Sequence, residues 1–348
     1  MKNIIILSII LLSFTTRAIC AETDSTNIFK KGILRYTEWN RPLWADINSN
    51  IVRLDIGMAT NKAEYDWAER GGEYRPYFWG NIGLDLQLWS SDFANEKIGL
   101  AISAPCSFLI WQDVFGRGTF AVINTDYRIG FGDISFIHRV KNHGLFKNYT
   151  IRYAPFRHES THIGDELTIK RKDEELAITR IDVNYNYSEF VFGINDPDGR
   201  KAMNHHFRIG GLIPLSQRKG WYAFLYAEAD KEKVEKVKSP YDFYAQYQFQ
   251  TNTSRSSLQG IFSLEVRNRS VYNYPYYDKK GEEEWTEYIS YKERQWSING
   301  FIGIRYNYRT GIFSKVGLGI RGYYGLNPYG QYRNTPDYKQ LGISLIFE

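Results

Sequence analysis

From residue 52 onward the chain alternates between apolar and polar positions. Val52, Leu54, Ile56 and Met58 take every second place, with Arg53, Asp55 and Gly57 between them. Ile82, Leu84, Leu86 and Leu88 repeat the pattern against Gly83, Asp85, Gln87 and Trp89, and Phe243, Ala245, Tyr247 and Phe249 repeat it against Tyr244, Gln246, Gln248 and Gln250. Further rows are Tyr149, Ile151 and Tyr153; Ile181, Val183, Tyr185 and Tyr187; Phe262, Leu264 and Val266; Ile302, Ile304 and Tyr306; and Val316, Leu318 and Ile320. A period of two puts successive side chains on opposite faces of an extended strand, so each segment predicts a strand with one apolar and one polar side.

A soluble sandwich alternates too, and the polar faces separate the two cases. They carry Arg53, Asp55, Asp85, Asp182, Glu265, Arg267, Arg305 and Arg321 in mid-strand. In a closed barrel such charges meet across a lumen while the apolar face meets hydrocarbon. The expectation is therefore an all-β chain, a single antiparallel transmembrane β-barrel of about twelve strands, with fourteen as the alternative because such barrels take even numbers. Leu341, Ile343, Leu345 and Phe347 alternate to the last residue but one. That segment resembles the C-terminal strand of bacterial outer-membrane barrels, which closes on an aromatic residue; here Glu348 follows it.

Composition agrees with this picture. The chain holds 27 Tyr, 21 Phe and 9 Trp among 348 residues, yet its mean hydropathy is −0.45, an unusual pairing for a soluble domain. The first residues read as a secretory signal peptide: Lys2, an apolar run from Ile4 to Phe14, then Ala18, Cys20 and Ala21. Arg17 stands where a lipidation signal carries leucine, which sets aside a lipidated Cys20. The expected division is a signal peptide at 1–21, a periplasmic lead-in at 22–50 with an N-terminal plug as the weaker option, and the barrel at 51–348. Loss of Lys2 and Arg17, with no acid removed, lowers the net charge from +5 to +3. That is too small for a nucleic-acid footprint, so the expected partners are outer-membrane lipids and no nucleic acid. Only Cys106 remains, which rules out an intramolecular disulfide. No cofactor is implied, and oligomeric state is left open.

The candidate chemistry lies in RHESTHIGDE, residues 157–166, with His158, Ser160 and His162 at alternate positions. Parity carried from Thr150 and Arg152 places them toward the lumen unless Pro155 introduces a bulge. One reading makes His162, with Arg152, Glu166, His206, Arg208, Arg53, Asp85 and Arg305, part of a polar network filling the lumen. Another starts from the H-x-S element, which resembles that of two outer-membrane barrel hydrolases, outer-membrane phospholipase A and the lipid A deacylase. The resemblance implies His158 as general base and Ser160 as nucleophile on an acyl ester, at a site facing lipid. In those families an asparagine follows the serine and the orienting Asn or Glu lies twelve residues past it; here Thr161 and Lys172 occupy those places, with Asp173 or Glu174 available after a register shift. The longer segment also resembles the H-x-S-S-H-L-G-D-E segment of an uncharacterised family of exported bacterial proteins, which implies location and fold. Histidines four apart on a straight strand stand about 13 Å apart, too far to share one metal ion, so no metal site is expected. The functional expectation is an outer-membrane pore, small-solute transport or structural barrel with a polar lumen; the alternative is a lipid acyl-ester hydrolase.

Overall fold

The computed structural model describes residues 35–36, 41–60, 74–94, 97–114, 121–140, 146–163, 184–195, 205–216, 241–251, 257–270, 294–307, 315–329 and 337–348. In order along the chain the strands are β1 (Arg35–Tyr36), β2 (Val52–Thr60), β3 (Tyr74–Phe93), β4 (Ile98–Asp113), β5 (Ala121–Gly130), β6 (Asp133–Arg139) and β7 (Asn148–Ile163). They continue with β8 (Asn184–Ile194), β9 (His205–Ser216), β10 (Asp242–Gln250), β11 (Leu258–Ser270), β12 (Arg294–Asn307), β13 (Lys315–Gly325) and β14 (Tyr338–Phe347).

Each strand from β2 onward pairs antiparallel with its neighbours, and β14 returns to pair with β2, Phe347 opposite Val52. The sheet therefore closes. β5 and β6 both lie between β4 and β7 and are two halves of one stave. Twelve staves make the barrel, as the alternation predicted, and β1 is a short addition against Gln87 and Leu86 of β3. Closure satisfies every edge, which a wall in hydrocarbon requires.

The faces follow the alternation closely. Ile56, Ile82, Ile129, Phe190, Ile302, Ile320 and Ile343 are half or more exposed on the outside, and the charged rows are buried on the inside. An apolar exterior around a polar interior inverts the soluble plan, and this is a transmembrane β-barrel. Two rows depart from expectation. Tyr185 and Tyr187, read as part of an outer apolar row, face inward, and Asn186 between them faces outward; Asp182 of that row lies outside the described residues. On β7 the register slips between Ala154 and Arg157.

Residues 41–50, expected as part of a periplasmic lead-in, lie within the lumen, where Leu43, Trp44 and Ala45 are fully buried. Their backbone is held by inward side chains from five staves. Gln248 Oε1 accepts from Trp44 N at 2.8 Å, Ser263 Oγ accepts from Ala45 N at 3.0 Å, and Asn299 donates to the Ala45 carbonyl. Arg321 donates to the Trp44 carbonyl at 2.6 Å and Arg208 to that of Arg41 at 2.6 Å. The segment turns twice, with Asp46 N donating to the Leu43 carbonyl and Ser49 N to that of Asp46, and the polar wall supplies partners for amides and carbonyls the turns leave over. Trp44 packs edge-on against Phe301 at 5.2 Å, and a Cβ on Gly317 would overlap its indole ring, so this stave needs glycine there.

Candidate functional site

The bulge on β7 governs the site. Inward parity runs through Thr150, Arg152 and Ala154, then resumes at Arg157 and Glu159, so Pro155 and Phe156 together insert one extra step. Beyond the bulge, His158, Ser160 and His162 face outward, reversing the lumenal orientation that unbroken parity predicts. Their partners on β5 confirm the face: Ile129 opposite His158 and Tyr127 opposite Ser160 are both well exposed on the outer wall, and Thr125 stands opposite His162. His162 therefore stands outside the lumenal network in which it was expected.

On the other flank β8 places Asn186 directly across from His158. The imidazole Nδ1 and the Asn186 amide Oδ1 are 2.8 Å apart. With the amide oxygen accepting, Nδ1 carries the proton and Nε2 is the nitrogen that can take one. Ser160, two residues further on the same strand and face, lies about 6.6 Å away at the Cα level, from a rise of about 3.3 Å per residue. The row thus sets a hydroxyl, an imidazole and an orienting amide side by side on the outer wall.

The opposite side of the same wall is clamped. Glu159, inward between His158 and Ser160, accepts from Tyr185 Oη of β8 at 2.8 Å and from Arg128 of β5 at 3.5 Å. Arg128, Glu159 and Tyr185 are register partners one step from Ile129, His158 and Asn186. A buried ionic crosslink therefore fixes three staves directly behind the outer row.

The other expected network residues, where described, are lumenal. Arg152 pairs with Glu189 at 3.0 Å, and Arg157 reaches both Asp133 and Glu189. Arg53 pairs with Asp55 at 2.9 Å, and Arg305 donates to Gln250 and Gln259. His206 meets the Asn195 carbonyl, Arg208 holds the inner segment, and Asp85 is buried. Glu166, together with Lys172, Asp173 and Glu174, lies outside the described residues. Toward the end of the barrel with the longer connections, Tyr77, Trp79, Trp111, Tyr323, Tyr329 and Tyr338 pack into an aromatic layer across the lumen.

The orienting residue Asn186 was missed because it sits in the polar half of an alternating row, which the sequence assigns to the lumen. Its one signal is the neighbouring Tyr185 and Tyr187, aromatic residues with hydroxyls that can serve an interior.

No known family matches the sequence, and no curated protein does. Among solved structures, the chain is similar to the outer membrane phospholipase of Salmonella typhi, seen as a dimer with bound calcium, with 9% identity and a TM-score of 0.44 over 86% of this chain and 91% of that one. It is also similar to the outer membrane protein OprD of Pseudomonas aeruginosa, with 9% identity and a TM-score of 0.30 over 90% and 97% of the two chains. A third is OccAB2 of Acinetobacter baumannii, with 11% identity and a TM-score of 0.28 over 86% and 74%.

Proposed function

We propose that the chain is an outer-membrane acyl-ester hydrolase acting on membrane lipids, with Ser160 as nucleophile, His158 as general base and Asn186 as the residue that orients the imidazole. The observation that carries the reading is the hydrogen bond of 2.8 Å between His158 and Asn186 on the outer wall, with Ser160 on the same face. A nucleophile next to a base, itself held by a third group, is the arrangement acyl transfer needs. The imidazole accepts the Ser160 proton as Oγ attacks the ester carbonyl, then returns it to the leaving alcohol. Asn186 holds the tautomer in which Nε2 can accept.

Position along the strand supports a lipid substrate. A tilted strand crosses the hydrocarbon core in about 9 to 11 residues. Counted from Asn148, that span ends near residue 157, so Ser160 lies at the boundary where lipid ester bonds sit. Polar side chains on the outer wall are costly in hydrocarbon and tolerated at this level. Purified, refolded protein in detergent mixed micelles should release fatty acid from a phospholipid, and Ser160→Ala should abolish release. Equal rates from both proteins would refute the reading.

A second reading, passage of small solutes, draws on the charged inner face. It requires residues 41–50 to leave the lumen they fill, and conductance across a planar bilayer tests it.

A further inference from the structure

On the outer wall, beyond Asn186 as seen from Ser160, β8 to β12 carry a groove. Its cause lies in β9 and β10. Gly211 stands in register between Phe190 of β8 and Phe243 of β10, and Ala245 stands opposite Ile209. Small residues among large ones leave a dip. Phe190, Phe192, Phe243 and Trp296 wall it, Ile209 and Gly211 floor it, and it holds about 560 Å³ of free volume with an almost wholly carbon lining. That is the size of a ligand cleft, set in a face that meets lipid.

At the head of the groove stands a cation. Arg294 opens β12 two residues before the outward Trp296 and shares its face. Its Nη2 donates to the Tyr241 carbonyl at 2.6 Å and to that of Asn268 at 3.1 Å, and its Nε donates to Asn268 Oδ1. These bonds draw the guanidinium across β11 until it lies 5.5 Å from the centre of the Phe243 ring. The connections at this end, 217–241 and 271–293, are longer than those at the other, 195–204 and 251–257. Outer-membrane barrels turn their longer loops away from the cell, which puts Arg294 at the headgroup level of the outer leaflet.

The strand tilt sets the groove below this charge. Ile194, the last residue of β8, pairs with Phe207, the third of β9; Phe207 pairs with Tyr247, three short of the end of β10; and Tyr247 pairs with Leu264, the seventh of β11. A row of register partners therefore climbs toward higher-numbered strands, and a line parallel to the barrel axis descends toward lower-numbered ones. With a tilt of about 40° and staves about 4.8 Å apart, each crossing moves that line about 1.7 residues along the strand and about 7.5 Å down. From Arg294 it passes Asn268 on β11, then Tyr244 and Ala245 on β10, then Arg208 and Ile209 on β9. Ala245 and Ile209 line the groove. Two crossings descend about 15 Å, the depth of one leaflet of hydrocarbon.

We infer that this groove binds an anionic lipid of the outer leaflet, with the phosphate on Arg294 and an acyl chain along Phe243, Ala245 and Ile209, at a place separate from the Ser160 row. A guanidinium offers a planar fork of donors that matches phosphate oxygens. The dip gives the chain contacts on three sides, where a smooth wall gives them on one. Charge also selects the occupant. A second copy of the chain meeting the groove about a two-fold axis would set Arg294 against its own counterpart, like charge against like, whereas a phosphate complements it.

The test is native mass spectrometry of the refolded full-length chain in maltoside micelles, carried out on Ser160→Ala so that no lipid is consumed. Dipalmitoyl phosphatidylglycerol should be retained about tenfold better than dipalmitoyl phosphatidylcholine, the worth of a charge-assisted contact. Arg294→Gln should remove that preference, and Arg294→Lys, which keeps the charge, should keep it. Ala245→Leu fills the dip with Arg294 in place and should lower retention of both lipids about tenfold, the worth of about two buried methylenes. Ile343→Leu, on the outer face of β14, should change neither. Circular dichroism verifies the barrel in each variant. Equal retention of the two lipids, or retention unchanged in Arg294→Gln or in Ala245→Leu, overturns the site. A dimer in place of lipid-bound monomer would assign the groove to a second copy and overturns it too.

Discussion

Asn186 offers the sharpest perturbation, because it touches the base and stands on a different strand from the nucleophile. Asn186→Ala removes the acceptor held 2.8 Å from Nδ1 of His158. In the resting enzyme that bond is an ordinary neutral one, but as Ser160 loses its proton the imidazole becomes a cation and the bond becomes charge-assisted. Such bonds contribute about 1.5 to 3 kcal/mol, which predicts a fall in kcat of about 10- to 150-fold. KM should change little, since the amide contacts the base and not the lipid. The staves should stay in register, because the Arg128, Glu159 and Tyr185 clamp on the inner side is untouched. Asn186→Asp keeps the acceptor and adds a charge, which favours the imidazolium and moves the acid limb of the pH–rate profile to higher pH. The assay is initial-rate hydrolysis of a p-nitrophenyl ester in mixed micelles between pH 5 and 10, with circular dichroism to verify the barrel. A kcat for Asn186→Ala within twofold of wild type, with Ser160→Ala inactive, would refute the orienting role.

Three other outcomes follow from the lumen. Trp44→Ala deletes a fully buried ring packed on Phe301 and should cost about 3 to 5 kcal/mol in urea unfolding from micelles; a loss under 1 kcal/mol would mean the inner segment contributes little to the fold. The wild-type protein, with residues 41–50 in place, should give no discrete current steps in a planar bilayer, and regular steps would favour solute passage instead. At the rim beyond β14, burial acts to raise the Glu348 carboxyl, but Lys315, Arg305 and Arg41, with the Trp44 indole N–H, outweigh it and hold it at about 2. A folded value below the ordinary 4.5 means the stabilisation is complete above about pH 4.5 and is lost as pH falls toward 2. It amounts to about 3 kcal/mol, so the unfolding midpoint should drop across that window and Glu348→Gln should flatten the drop.

The alternation alone determined the class of fold. Val52 to Met58, Ile82 to Leu88 and Leu341 to Phe347 each declare an outer face, and with charges such as Arg53 and Arg321 on the other side only a closed wall in lipid satisfies both. Twelve staves were countable because strand length and turn spacing are local properties. The tertiary structure decided the orientation of the site. A single extra step at Pro155 and Phe156 flips every later side chain on β7, and it persists because the adjoining stave breaks at Phe131 and Gly132, a match between segments that no one strand records. The partnership of His158 with Asn186, the inward turn of Tyr185 onto Glu159, and the lodging of Trp44 against Phe301 likewise join residues from 26 to more than 250 positions apart. Sequence periodicity reports which side chains share a face; which face meets lipid, and what stands beside it, depends on how neighbouring strands pair.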